Sequence, residues 1–164
     1  MEVLDILNVI ICRDVDIVLK QFQNYFKGFE KVEAVMELFG THTQQILNDL
    51  LVEFVSSTRY MRVSNDDGHL IVGVNYLKNG DERDIYLDII HELVHVKQFH
   101  NGLKLHDRRF RYPDRPTEIE AFSHAVKEAR RLGMTDTEIY EYLKVEWMTE
   151  EEVKNLATVL NVKL

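Results

Sequence analysis

Between Ile85 and Phe99 the chain reads as a helix that is apolar nearly all round, yet it carries His91, Glu92 and His95. Ile85, Leu87, Ile89, Ile90, Leu93, Val94, Val96 and Phe99 leave no polar face for solvent. A helix of that kind lies inside a fold rather than on it. Titratable side chains on a buried helix are costly unless something inside partners them. The rest of the chain therefore has to wrap this helix and supply that partner.

The 164 residues fit one domain, 1–164, long enough to bury a core without disulfides. Residues 1–56 read as a helical N-terminal part, 57–133 as the core around the buried helix, and 134–164 as C-terminal helices. In the first part, Val15, Val18, Phe22 and Phe26 give helical spacing over Asp14 to Phe26, and Gly28 marks a stop. Phe29 to Phe39 and Thr43 to Phe54 are further expected helices. Met1 to Ile11 is ambiguous between helix and buried strand. Arg59 to Ser64 and His69 to Tyr76, rich in Val, Ile and Tyr, predict two strands joined in a hairpin by Asn65, Asp66, Asp67 and Gly68.

A helix from Asp84 to about His100 follows, then a polar loop from Asn101 to Pro116 and a helix from Thr117 to Leu132 stopped by Gly133. Short helices near Asp136 to Val145 and Thr149 to Leu160 complete the chain. Thr149 and Glu152 fit a capping box. Helices with one small sheet predict an α+β fold.

Cys12 is the only cysteine, so an intrachain disulfide and a cysteine-based zinc site are both excluded. No stretch is apolar for long enough to span a membrane, and the N-terminus has no basic leader, which points to a soluble, cytoplasmic protein. The net charge of −8 argues against a nucleic-acid surface. Lys104, Arg108, Arg109, Arg111 and Arg115 nevertheless form a local basic cluster.

His91-Glu92-Leu93-Val94-His95 has the form H-E-x-x-H. Residues four apart share one helix face, so both imidazoles can reach one metal ion, zinc being the ion they suit. Glu92, about 100° round the helix, is displaced from that line but can hold a metal-bound water and take its proton. A third protein ligand is needed, and His100, His106, Glu118, Glu120 and His124 follow the motif. On a helical wheel Ala121, Phe122, Ala125, Val126, Ala129 and Leu132 fall within about 80° of Glu118. Glu118 therefore sits at the centre of an apolar face, where a carboxylate needs a cation. Glu120 points about 200° away and fits a capping box with Thr117. His124 lies off the inner face.

HELVHVKQ followed by PTEIEAF resembles the gluzincin metallopeptidases, and the small archaeal minigluzincins in particular. The resemblance covers roughly residues 59–132. It implies a zincin-like α+β fold with a hairpin sheet, an active-site helix, a glutamate helix and, here, extra N-terminal helices. It also implies zinc held by His91, His95 and Glu118, and Glu92 as the general base of an endopeptidase. A peptide or protein substrate would bind by strand addition to an edge strand, for which His69 to Tyr76 is the candidate. Thermolysin-like gluzincins carry an aspartate four residues after the ligand glutamate; this chain has Phe122 there. Asp88 is then a candidate to orient a ligand histidine. Tyr112, Tyr76 and the arginines between 108 and 115 are candidates to stabilise an oxyanion. The C-terminal segment, with Trp147 and Met148, either covers the cleft or packs on the domain.

Two other readings fit parts of the sequence. In a SprT-like protease with three histidine ligands, His106 and Phe110 would be the relevant pair. A zinc-binding scaffold without turnover would need the ligands but not Glu92.

Overall fold

The computed structural model describes residues 2–4, 9–56 and 60–163. The fold is mixed α+β. The N-terminal part opens with strands β1 (Glu2–Leu4), β2 (Val9–Ile11) and β3 (Leu19–Gln21), then a single helical turn α1 (Phe22–Tyr25) and β4 (Phe26–Lys27). Helices α2 (Glu33–Phe39) and α3 (Thr43–Asp49) follow, then β5 (Leu51–Val55), β6 (Met61–Val63) and β7 (Leu70–Gly73). The remaining elements are α4 (Val74–Asn79), α5 (Glu82–His100), α6 (Pro116–Arg131), α7 (Asp136–Leu143) and α8 (Glu150–Val159). No helix among the described residues is long and apolar enough to cross a membrane.

The N-terminal part is not all helical. The described pieces of the ambiguous first segment are strands, paired as β1-β2-β4, all antiparallel. The expected helix from Asp14 to Phe26 survives only as the turn α1. Residues 19–21 are claimed instead by β5, with Lys20 opposite Val52 and Gln21 opposite Leu51. Tertiary pairing overrides the helical period here. The single turn still brings Phe22 and Phe26 together, ring centroids 5.0 Å apart and both fully buried. The expected helix from Thr43 to Phe54 likewise ends at Asp49. Beyond it Val52 and Phe54 are buried while their neighbours are not, the alternation of a half-buried strand.

The second sheet has the order β3-β5-β7-β6. The expected hairpin forms, with Met61 opposite Val72 and Val63 opposite Leu70, although Arg59 lies outside the described residues. Gly68 turns it with φ of 78°, and a Cβ there would stand 2.4 Å from the Phe99 ring. The strand expected at His69 to Tyr76 stops at Gly73, where α4 begins. That strand is interior, paired with β5 in parallel and with β6 antiparallel. The edge strand on this side is therefore β6, which corrects the sequence expectation.

The buried helix is α5, and its apolar residues Ile85, Leu87, Ile89, Ile90, Leu93, Val94 and Val96 are all inaccessible to solvent. Asp81 caps it, accepting from the backbone N–H of Arg83 and Asp84. Helix α6 packs along α5, and β6 and α2 pack on other sides of it. The face of α6 that meets α5 carries Glu118, Ala121, Phe122, Ala125 and Ala129, as the wheel predicts. Helix α6 begins at Pro116 with Arg115 as its N-cap, so the capping box expected from Thr117 and Glu120 does not form. The box at Thr149 and Glu152 does, and Thr135 with Glu138 makes a second.

Candidate metal centre

Helix α5 presents His91 and His95 one turn apart, and the third residue of α6 presents Glu118 to both. All three are buried. His91 Nε2 lies 3.2 Å from Glu118 Oε2, His95 Nε2 lies 3.3 Å from the same oxygen, and the two nitrogens are 3.1 Å apart. Ligand atoms around a tetrahedral zinc ion with bonds of ~2.0 Å are separated by roughly 3.3 Å. The triangle of donors matches that spacing, so the residues fit a metal ion. Among the described residues this is the group of His, Cys, Asp and Glu side chains able to hold one.

The charges of the three side chains are coupled. Burial would raise the Glu118 carboxyl, but its bonds to His91 and His95 outweigh burial and hold it well below the usual carboxylate range. Burial would lower His95, but Glu118, the Glu92 charge and Gln98 bring it up to about 9. His91 is lowered, by burial first and then by His95, against the pull of Glu118.

Gln98 fixes His95. Its Oε1 lies 2.7 Å from His95 Nδ1. Its Nε2 donates to the Thr117 carbonyl at 3.0 Å and to Glu120 Oε2 at 2.8 Å. Those two acceptors settle which end of the amide is oxygen. An oxygen facing Nδ1 keeps a proton there, so the proton that has to leave when a metal binds is the one on Nε2, the nitrogen turned to Glu118 and His91. Glu120 is thus a support for Gln98 rather than a cap. His91 has no such partner among the described residues, and its Nδ1 is buried without a hydrogen bond. Phe122, four residues after Glu118, packs edge-on against the His91 ring with centroids 4.5 Å apart. On the Nδ1 side, ring packing rather than a carboxylate meets that imidazole. Asp88 does not reach it; its oxygens accept from Tyr76 at 2.5 Å and Tyr142 at 3.0 Å.

Glu92 is buried beside the triad, and its Oε2 has no hydrogen-bond partner among the described residues. Burial pushes its carboxyl up to about 8; His95 and Arg62 oppose this, and Glu118 and Asp88 add to it. A cleft of about 740 Å³ opens over His91, Glu92, His95 and Glu118. Edge strand β6 forms one wall, and Tyr112, Arg115, His106 and the C-terminal residues Glu146 and Trp147 also line it. The Trp147 ring stands 5.6 Å from both Tyr60 and Tyr112, so the C-terminal segment forms part of the wall. Tyr112 is raised well above its ordinary value, by burial and then by the charges of Glu118, Glu92 and Asp88. It remains a protonated donor in the cleft.

The other sequence candidates fall elsewhere. His106 lines the cleft but pairs with Asn65 at 2.9 Å and is not part of the donor triangle. His100 is exposed and His124 half-buried on the outer side of α6. Tyr76 is committed to Asp88. Gln98 escaped sequence reasoning because glutamine on a helix carries no signal until the partner helix is in place.

Comparison of the chain with known protein families, with curated proteins and with solved structures finds no match.

Proposed function

We propose that this chain is a zinc-dependent endopeptidase of the gluzincin type, acting on peptide or protein substrates in the cytoplasm. The observation that carries the reading is the donor triangle of His91, His95 and Glu118 with the buried Glu92 carboxyl beside it, its Oε2 without a hydrogen-bond partner among the described residues, at the floor of a large cleft. A structural ion needs the first three and gains nothing from the fourth. Two imidazoles and a carboxylate suit zinc. When bound, the ion would polarise the scissile carbonyl and lower the pKa of a water at the site. Glu92 would take a proton from that water and return it to the leaving amine. Tyr112 would donate to the oxygen on which charge develops.

The arrangement around the site supports the same reading. Strand β6 has β7 as its strand partner and a free outer edge among the described residues, so an extended peptide can add to it along the cleft. A hairpin, an active-site helix α5 and a glutamate helix α6 are what a zincin-like fold requires, in keeping with the resemblance to the minigluzincins.

The test is metal content together with cleavage of a peptide library. The parent and His106→Ala are expected to hold zinc, and Glu118→Gln to lose it. Glu92→Gln is expected to keep zinc and lose cleavage by about 10²-fold or more. Loss of zinc from His106→Ala with retention in Glu118→Gln would transfer the protein to the three-histidine class. A Glu92→Gln protein that cleaves as well as the parent would refute the assigned base.

A further inference from the structure

The basic cluster between Lys104 and Arg115 is divided by the fold. Arg109 is locked on Asp107 at 2.7 Å, and Arg111 on Asp114 at 2.9 Å. Arg115 alone among the five lines the cleft. It has no carboxylate within ion-pair distance among the described residues, and its Nε is buried without a hydrogen-bond partner. Its guanidinium leans on the Tyr112 ring, 5.7 Å from the centroid. Arg62, on edge strand β6, lines the same cleft and likewise has no ion pair among the described residues.

The two arginines act on one region. His106 is lowered by burial first and then by Arg115, with Arg62 contributing as well. Arg62, Arg115 and His106 line the same cleft, Arg62 from β6 and Arg115 from the start of α6. Glu146 lines the cleft too, yet pairs with neither. The chain has 28 acidic residues against 20 basic ones, so carboxylates are plentiful, and still none reaches these two side chains. A guanidinium turned into a cleft and partly desolvated is matched by a bidentate carboxylate.

We propose that Arg62 and Arg115 bind a carboxylate of the substrate, so that the cleft selects peptides with an acidic side chain or a free C-terminal carboxylate next to the scissile bond. The proposal rests on the peptidase reading above. Arg62 belongs to the strand on which an extended peptide would add, and Arg115 lies three residues before the ligand Glu118. The anionic group therefore falls near the reacting bond rather than at a remote subsite. A neutral peptide would leave the partly buried guanidinium unpaired, and such a site discriminates strongly against a substrate lacking the partner.

The experiment uses zinc-loaded Glu92→Gln protein, which holds substrate without turning it over. Three fluorescein-labelled peptides of one length are titrated by anisotropy: an amidated peptide with Asp and Glu, its Asn and Gln counterpart, and a neutral peptide with a free C-terminus. A carboxylate-bearing peptide is expected to bind about ten-fold tighter than the neutral amide, less so at high salt. Whichever of the two binds tightly identifies the source of the carboxylate. Adding Arg62→Gln or Arg115→Gln should cut the ratio of carboxylate-bearing to neutral-amide affinity several-fold; a ratio that stays at the parent value in both variants overturns the proposal. Arg62 is exposed, so its variant decides the matter even if Arg115→Gln folds poorly. Equal binding of all three peptides overturns the proposal; cleavage of them by the Glu92 enzyme would leave the peptidase reading standing. Absence of both binding and cleavage overturns the two together.

Discussion

Gln98 Oε1 sits 2.7 Å from His95 Nδ1, and the Gln98 amide is itself held by the Thr117 carbonyl and Glu120 across the interface of α5 and α6. One glutamine thus ties the Nδ1 proton of His95 on one helix to the start of the helix that supplies Glu118. Replacing Gln98 by Ala frees His95 to rotate and to protonate on the other nitrogen. Zinc affinity, read by competition with a chelator, is expected to fall about 10- to 100-fold with all three ligands in place. An unchanged affinity would mean that packing alone sets the His95 ring.

The contrast between Gln98 and Glu118 marks how far the sequence could be read. Glu118 was legible because a carboxylate centred on an apolar helix face is anomalous by itself, before any partner is known. The helices α5 and α6 were legible for the same reason, since the 3.6-residue period is a local property. Gln98 breaks no local rule, and its meaning comes from Thr117 and Glu120 on another element. Strand β3 was hidden because its partner β5 lies 30 residues further on, and the helical spacing of Val18, Phe22 and Phe26 competed with it. The edge position of β6 is a matter of sheet order, which no single strand announces.

Asp88 gives the fold a pH dependence of defined sign. Burial pushes its carboxyl up to about 7, against the hydrogen bonds from Tyr76 and Tyr142. An unfolded chain ionises this group near its ordinary value of 3.8. Between those values the folded state holds a proton that the unfolded state has lost. The contribution of Asp88 is therefore fully present below the unfolded value and is lost as the pH rises through about 7. Asp88→Asn cannot ionise and still offers an oxygen to one tyrosine. Urea unfolding at about pH 5 and about pH 8 should show the parent losing more stability than the variant over that interval, by about 1–3 kcal/mol. Parallel pH profiles for the two proteins would show that Asp88 is ionised in the native state throughout.

Glu128 is a buried carboxylate on the α5–α6 interface that the sequence did not announce, only 2% exposed. It accepts from the Tyr86 hydroxyl at 2.6 Å and from Arg131 Nη2 at 2.6 Å and Nε at 2.9 Å. Tyr86 is raised by burial and then by this bond, so it stays a donor. Arg131 is 44% exposed and can turn to water once its partner is gone, whereas Tyr86 cannot. The cost of Glu128→Ala therefore comes chiefly from the lost packing and from a buried hydroxyl left without an acceptor, about 2–3 kcal/mol by chemical denaturation. Glu128→Gln keeps an acceptor for Tyr86 and should cost about half as much. The cause can be separated from the cavity by adding Tyr86→Phe to Glu128→Met, which fills the space and removes the orphaned donor together. If the buried hydroxyl is the source of the loss, that double variant is more stable than Glu128→Met alone; if it is less stable, the Tyr86 hydroxyl finds another partner and the penalty lies with Arg131.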